Sequence, residues 1–175
     1  MNRAVFLDRD GVINEVLTHW VKFVNKPEDF YLLDGVGEAI YKLNTNGYKV
    51  FVVTNQGGIG LGYMQEPMLE KVHQKMKSDL ENFDAYVDDI AYCPHKPHEG
   101  CACRKPKPKM ITDLIEKYRI QLSGSYMVGD RKPDIEAGKE AGLKTVLVGN
   151  RKEEKGREDL HFPSLLAFAK WLTVP

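Results

Sequence analysis

The chain has 175 residues, 42% of them hydrophobic, and its 25 Lys and Arg balance its 25 Asp and Glu. That length suits one domain with a sizeable core, and zero net charge excludes a global basic field for recruiting nucleic acid or an anionic membrane. No stretch approaches a membrane span or a signal-peptide apolar region, so a cytoplasmic location is expected.

Ala4 to Leu7 is a continuous apolar run. Such a run suits a strand buried on both faces of a parallel sheet. It stops at Asp8, followed by Asp10 and Gly11. Two carboxylates at i, i+2 past a central strand can share a metal or divide nucleophile and acid roles. They can equally be turn formers, because Asp side chains bond nearby backbone. Residues 15 to 33 read as an irregular connection carrying Trp20, Phe23, Phe30 and Tyr31. A connection of that length is often functional; otherwise it packs over the sheet by its aromatics.

Asp34 is expected to cap a helix running to about Asn46, with Val36, Ile40 and Leu43 inward and Gly47 as its stop. Lys49 to Val53 predicts a second buried strand, ending in the polar, glycine-rich turn Thr54-Asn55-Gln56-Gly57-Gly58-Ile59-Gly60. Gln65 to Phe83 predicts an amphipathic helix with Leu69, Val72, Met76, Leu80 and Phe83 on one face. Asp89 to Tyr92 is a weak third strand, and Cys93 to Lys105 is irregular. A helix begins at Pro108, since proline suits a first turn. Ser125 to Val128, then Gly129-Asp130, predicts a fourth strand and its turn; a helix over 133 to 141 and a fifth strand over 145 to 148 follow. After a charged loop comes a terminal helix over 165 to 172. Strands alternating with helices predict a three-layer, Rossmann-like α/β fold with a mostly parallel sheet of about five strands. No repeat or low-complexity segment interrupts it.

A parallel sheet gathers its strand ends on one edge, here Asp8, Thr54 and Asp130, joined by a lysine from Arg104-Lys105-Pro106. Carboxylates and water suit Mg²⁺, while lysine, hydroxyl and backbone N–H groups suit a phosphoryl group. A second cluster is formed by Cys93, His95, Cys101 and Cys103, all within eleven residues. Three cysteines make a poor disulfide framework, but three thiolates and an imidazole are the ligand set of a closed structural Zn²⁺ site. His98 is the other candidate for the imidazole, and buried thiols without metal are the bland reading.

Taken together, Asp8-Arg-Asp10-Gly-Val, Thr54-Asn55, Lys105 and Gly129-Asp130-Arg-Lys-Pro-Asp134 resemble, in order, the four signatures of the haloacid dehalogenase (HAD) superfamily of phosphohydrolases. The resemblance implies Asp8 as the nucleophile that forms an aspartyl-phosphate and Asp10 as the acid and then the base. It implies Mg²⁺ on the Asp8 carboxylate, the Asp10 backbone carbonyl and Asp130, with Thr54, Asn55 and Lys105 holding the transferring phosphoryl oxygens. Asp134 is expected to orient Lys105 or a metal-bound water. Forty-three residues separate Asp10 from Thr54 and fifty separate Thr54 from Lys105, all accounted for by predicted elements, so no cap domain is expected. A single domain over 1–175 is expected, with a zinc-binding loop at about 93 to 103 and an open site whose selectivity comes from residues 15 to 32, 57 to 64 and 93 to 104.

Cys93-Pro-His95 and Cys101-Ala-Cys103-Arg-Lys-Pro narrow the resemblance to the zinc-bearing subgroup of D-glycero-D-manno-heptose 1,7-bisphosphate 7-phosphatases and histidinol-phosphate phosphatases. Asp-Gly-Val-Ile-Asn14 and Thr-Asn-Gln-Gly-Gly-Ile59-Gly lean toward the heptose enzymes. The five residues between His95 and Cys101, the Gly129-Asp-Arg131 sequence and the glycine at 57 lean toward the histidinol-phosphate form. On the heptose reading Arg104 is expected to meet the phosphate that is not cleaved, with Arg131, Gln56, Gly57 and Trp20 as further substrate contacts. The partner is then a small phosphorylated sugar, not nucleic acid or membrane, and a monomer is expected. A phospho-receiver module and a zinc-braced binding protein with an inactive site are the other classes. Asp10 argues against the first, because a receiver must keep its aspartyl-phosphate. The intact set of acidic and basic residues argues against the second.

Overall fold

The computed structural model describes residues 1–175. Six strands, β1 (Ala4–Leu7), β2 (Lys49–Asn55), β3 (Asp89–Cys93), β4 (Tyr126–Gly129), β5 (Lys144–Val148) and β6 (Leu160–Phe162), form one sheet in the order β3-β2-β1-β4-β5-β6. Every neighbouring pair is parallel. The helices are α1 (Val36–Thr45), α2 (Glu66–Glu81), α3 (Lys109–Tyr118), α4 (Lys132–Glu140) and α5 (Leu165–Leu172). No helix is long and apolar enough to cross a membrane.

Successive strand side chains point to opposite faces, and β1 feeds two cores. Val5 and Leu7 join α1, α2 and α5 through Ile40, Val72, Met76 and Phe168. Ala4 and Phe6 join α3 and α4 through Ile111, Leu114 and Ala137. Both faces of the sheet are therefore covered, which is the three-layer arrangement read from the strand–helix alternation. No folded domain is inserted after β1 or after β2, as the connection lengths require.

The chain runs from β1 outward to β2 and β3, then returns to place β4 on the other side of β1. The connections leaving β1 and β4 therefore diverge. A crevice opens at the carboxyl ends of such a pair, and the next residues are Asp8 and Asp130.

The sheet holds six strands where about five were expected: Leu160 to Phe162 is only three residues long, and its exposed edge position and preceding charged loop hide it from pattern reading. Three local expectations are corrected. Asp34 does not cap α1; Gly35 is the N-cap residue, in a left-handed conformation. Pro108 is the N-cap of α3 and not its first residue. Phe83 lies beyond the end of α2 and is half exposed.

Candidate active site

β1 delivers Asp8 to the sheet edge, where its backbone N–H donates to the Val128 carbonyl at 3.0 Å. The chain then curls back. The N–H groups of Val12, Ile13 and Asn14 all donate to the Arg9 carbonyl, at 3.2, 2.8 and 3.2 Å. Gly11 makes this turn with φ +86°, and a Cβ there would lie 2.1 Å from Asp130 Oδ2. Only glycine meets both demands, and so the two acidic loops come into contact.

Lys105 is 3% exposed. Its Nζ donates to Asp8 Oδ1 at 2.8 Å, Asp134 Oδ1 at 2.7 Å and the Val53 carbonyl at 2.8 Å. An ammonium has three protons, and all three are taken by protein acceptors. Asp134, in the first turn of α4, also accepts from the Asp130 and Arg131 N–H groups, each at 3.2 Å. It thus orients Lys105, as expected, and also ties the Asp130 loop to the helix start. Asn55 acts on the backbone of Lys105. Its amide donates to the Lys105 carbonyl at 3.1 Å, and its carbonyl accepts the Lys105 N–H at 3.0 Å. The sequence suggested phosphate contact for Asn55; its side chain is instead occupied as a clamp.

Asp8, Asp130 and Asp134 can each offer an oxygen within 4.8 Å of the others, and all three are buried. The one buried ammonium serves Asp8 and Asp134, and Asp130 has only the partly exposed Arg151, at 3.9 Å, so the three carboxylates keep an excess of negative charge. Burial first, then Asp134, push the Asp8 carboxyl well above the usual range, against the pull of Lys105, while Asp130 and Asp10 push it further. Burial first, then Asp134, raise Asp130 to about 6, against Arg151 and Arg131. Asp130 Oδ1 is buried without a hydrogen-bond partner. An oxygen-lined pocket with an excess of negative charge and an orphaned carboxylate oxygen fits a hard divalent cation such as Mg²⁺.

Asp10 is held differently. Arg9 Nη2 donates to its Oδ1 at 2.8 Å, Arg9 Nε to the same oxygen at 3.3 Å, and Asn14 Nδ2 again to that oxygen at 3.0 Å. Gln56 Nε2 reaches Oδ2 at 3.2 Å and also donates to Thr54 Oγ1 at 2.9 Å. Burial would raise the Asp10 carboxyl, but Arg9, then the Asn14 hydrogen bond, bring it below the ordinary value. Thr54 is buried beneath Gln56. Neither Arg9 nor His73, its neighbour at 3.1 Å, stands out in the sequence. An arginine between two acids reads as solvated, and a histidine in a charged helix reads as surface.

The cysteine cluster closes as a unit. Cys93 Sγ lies 3.3 Å from His95 Nδ1, 3.6 Å from Cys101 Sγ and 2.8 Å from Cys103 Sγ, with His95 Nδ1 3.2 Å from Cys103 Sγ. No disulfide joins them. Three sulfurs and one imidazole nitrogen converge on one point, which fits tetrahedral zinc, and His95 supplies the nitrogen in place of His98. The glycine-rich turn packs directly on this loop. A Cβ at Gly60 would lie 2.7 Å from the Lys96 nitrogen, and one at Gly57 would lie 3.0 Å from Arg104 Nη1. Arg104 in turn donates to the His95 carbonyl at 3.2 Å.

A cleft of about 1180 Å³ opens over these groups, with Asp8, Asp10, Lys105 and Asp134 among its lining. Its walls come from residues 16–25, 56–63 and 96–101, together with Arg104, Lys107 and Arg131. The cations Lys22, Lys96, Arg104, Lys107 and Arg131 thus surround the acidic floor. Gln56 and Gly57 also line it, but Trp20 does not; its side chain is 82% exposed.

A family model described as HAD-hydrolase-like matches residues 102–167, the stretch that carries Lys105, Asp130 and Asp134. D-glycero-beta-D-manno-heptose-1,7-bisphosphate 7-phosphatase of Pseudomonas putida is 40% identical, over 97% of this chain and 99% of its own length. D-glycero-alpha-D-manno-heptose-1,7-bisphosphate 7-phosphatase of Campylobacter jejuni is 35% identical, over 96% of each chain. The crystal structure of D,D-heptose 1,7-bisphosphate phosphatase from Bordetella bronchiseptica, complexed with magnesium and phosphate, superposes with a TM-score of 0.90. That protein is 35% identical, and the match covers 97% of both chains. Fold and site define a HAD-like hydrolase. Within that class, the chain belongs to the D-glycero-D-manno-heptose-1,7-bisphosphate 7-phosphatase family.

Proposed function

We propose that this chain, working as one catalytic unit, removes the 7-phosphate of D-glycero-D-manno-heptose 1,7-bisphosphate by way of an aspartyl-phosphate. The observation that carries the reading is the buried Asp8–Lys105–Asp134 triad beneath a cation-rimmed cleft. Lys105 engages Asp8 Oδ1, which leaves Oδ2 to attack phosphorus in line. The bond from phosphorus to the sugar oxygen then breaks, and its electron pair leaves on that oxygen, which takes a proton from Asp10. A water attacks the phosphorus of the aspartyl-phosphate, Asp10 takes that water's proton, and phosphate departs with Asp8 restored. Mg²⁺ held by Asp8, Asp130 and the Asp10 backbone carbonyl, when bound, offsets the repulsion between a carboxylate and a phosphate dianion and steadies the equatorial oxygens. Lys105 fixes the nucleophile's rotamer and charge. Thr54, whose hydroxyl oxygen accepts from the Gln56 amide, would donate its proton to the phosphoryl group.

Five cations around an acidic floor suit a substrate with a second phosphate, and Arg104 is the one braced by the zinc loop. Comparison of kcat/KM for the α and β anomers of the heptose bisphosphate with histidinol phosphate tests the assignment. We expect one heptose anomer to exceed histidinol phosphate by at least ~100-fold, since an unpaired phosphate-binding site costs several kcal/mol. Equal or reversed constants would remove the heptose assignment while leaving the phosphatase chemistry intact.

Zinc is proposed as a structural ion on Cys93, His95, Cys101 and Cys103, because it would fix the loop that carries Arg104 and Lys105. Elemental analysis should return about one zinc per chain. Stripping it with a thiol-competing chelator should lower the melting temperature and raise KM for the bisphosphate before kcat falls. A metal-free preparation with unchanged melting and KM would refute the zinc assignment. Nothing in the site calls for a second protein chain, and a soluble, cytoplasmic monomer is the form we propose.

A further inference from the structure

The reaction as described makes no use of the largest fully buried side chain. Arg9 is 0% exposed and is not part of the lining of the cleft. Burying a guanidinium is costly unless its donors are matched. Here each nitrogen is matched: Nε and Nη2 by Asp10 Oδ1, and Nη1 by His73 Nε2 at 3.1 Å. Arginine only donates, so His73 Nε2 must accept, and the imidazole proton sits on Nδ1. His73 reaches the site from the buried face of α2, sixty-four residues along the chain.

The consequence falls on the two oxygens of Asp10. Oδ1 receives three N–H groups, two from a cation and one from Asn14. Oδ2 receives one, from the neutral Gln56 amide at 3.2 Å. A proton has no place on an oxygen already surrounded by donors, so it must travel on Oδ2. An acid whose proton is confined to one oxygen must also be held in one rotamer. A paired Asp10 alone would not require His73. The histidine matches the outer edge of the guanidinium and so stops Arg9 from swinging toward other acceptors.

We propose that His73 and Arg9 form a buried strut that fixes the Asp10 carboxylate through Oδ1 and leaves Oδ2 as the oxygen that protonates the leaving group. Both are positioning residues, and the inference rests on the reading of Asp10 as the acid. The strut joins α2 to the loop after β1, so it acts on the acid and not on the nucleophile.

The test uses the full-length protein with Mg²⁺ and two substrates. The heptose bisphosphate has an alkoxide leaving group that needs a proton. p-Nitrophenyl phosphate has a phenolate leaving group that does not. For an enzyme with a covalent intermediate, kcat/KM reports phosphoryl transfer and is blind to hydrolysis of the aspartyl-phosphate. His73→Leu should lower kcat/KM for the bisphosphate by roughly 10- to 100-fold, part of what a general acid supplies, and for p-nitrophenyl phosphate by less than about 3-fold. His73→Gln, whose amide oxygen can accept from Arg9, should recover most of the loss. Equal losses on both substrates, no loss, or a folded glutamine variant no better than leucine would each overturn the strut. Should His73→Leu fail to fold, Arg9→Lys, which keeps the charge and loses the fork, should show the same leaving-group discrimination. Its absence there overturns the proposal equally. Asp10→Asn is the control. If it does not discriminate between the substrates, the acid reading fails and takes the strut with it. If it discriminates and His73→Leu does not, the strut alone fails.

Discussion

Asp8→Asn should lower phosphatase turnover by a factor on the order of 10⁴ or more, because the amide cannot attack phosphorus and the aspartyl-phosphate cannot form. The same substitution should leave the protein as stable as before, or more so. Asp8 sits among Asp134, Asp130 and Asp10, and burial with Asp134 already drives its carboxyl upward. Replacing it by a neutral amide of the same shape relieves that crowding. Lys105 keeps Asp134 and the Val53 carbonyl, and the amide oxygen can still accept its third proton. A site arranged for chemistry is often improved in stability by the loss of its reactive group. Turnover assays and thermal melts on the metal-free protein check both halves. Preserved turnover would remove Asp8 as nucleophile. A large fall in melting temperature would mean that Asp8 is chiefly a structural partner of Lys105.

The sequence was most legible where backbone geometry and chemistry coincide. The apolar runs over 4–7 and 126–129 each read as a buried strand leading to a carboxylate, and a parallel sheet brings both strand ends to one edge. The cluster of three thiols and an imidazole was legible for the same reason, since eleven residues leave them few ways to be apart. Roles that depend on distant contacts were not legible. Asn55 looked like a phosphate ligand because it adjoins Thr54, yet its two hydrogen bonds go to a backbone fifty residues away. His73 looked like one more polar residue in a helix of low mean hydropathy. Only the fold of α2 over the β1 loop shows that it meets Arg9. Trp20 looked like a substrate contact because loops carry function, but the turn in which the Thr18 N–H bonds the Val21 carbonyl leaves it in solvent. Gly57 was expected as a substrate contact, and Gly60 carried no signal beyond its turn. Gly57 does line the cleft, and the missing side chains of both also admit Arg104 and the backbone of the cysteine-bearing loop.

Lys105→Met should be the most damaging single change to stability in this site, and its effect should depend on Mg²⁺ and on pH. Methionine keeps the buried volume and removes the charge, so Asp8 and Asp134 lose their only shared cation. Breaking a buried ion pair by deleting one partner costs about 3–5 kcal/mol. For a chain of this size that corresponds to a melting temperature lower by roughly 10 °C. The sign of the pH dependence follows from linkage. Without the ammonium the crowded carboxyls hold protons in the folded state that they release in the unfolded one. Folding then binds protons, and stability falls as pH rises through the window above the ordinary carboxylate pKa of about 4. The variant should therefore be closer to wild type near pH 5 than near pH 8. Mg²⁺ acts in the opposite direction to lysine loss. With no ammonium opposing it, a divalent ion meets three buried carboxylates, and its apparent affinity should rise even as turnover falls by at least ~100-fold. Melts at two pH values with and without Mg²⁺ separate these effects. A variant that is equally stable at both pH values and gains nothing from Mg²⁺ would show that the triad is not held by charge, and the excess of negative charge that argues for the metal would fall with it.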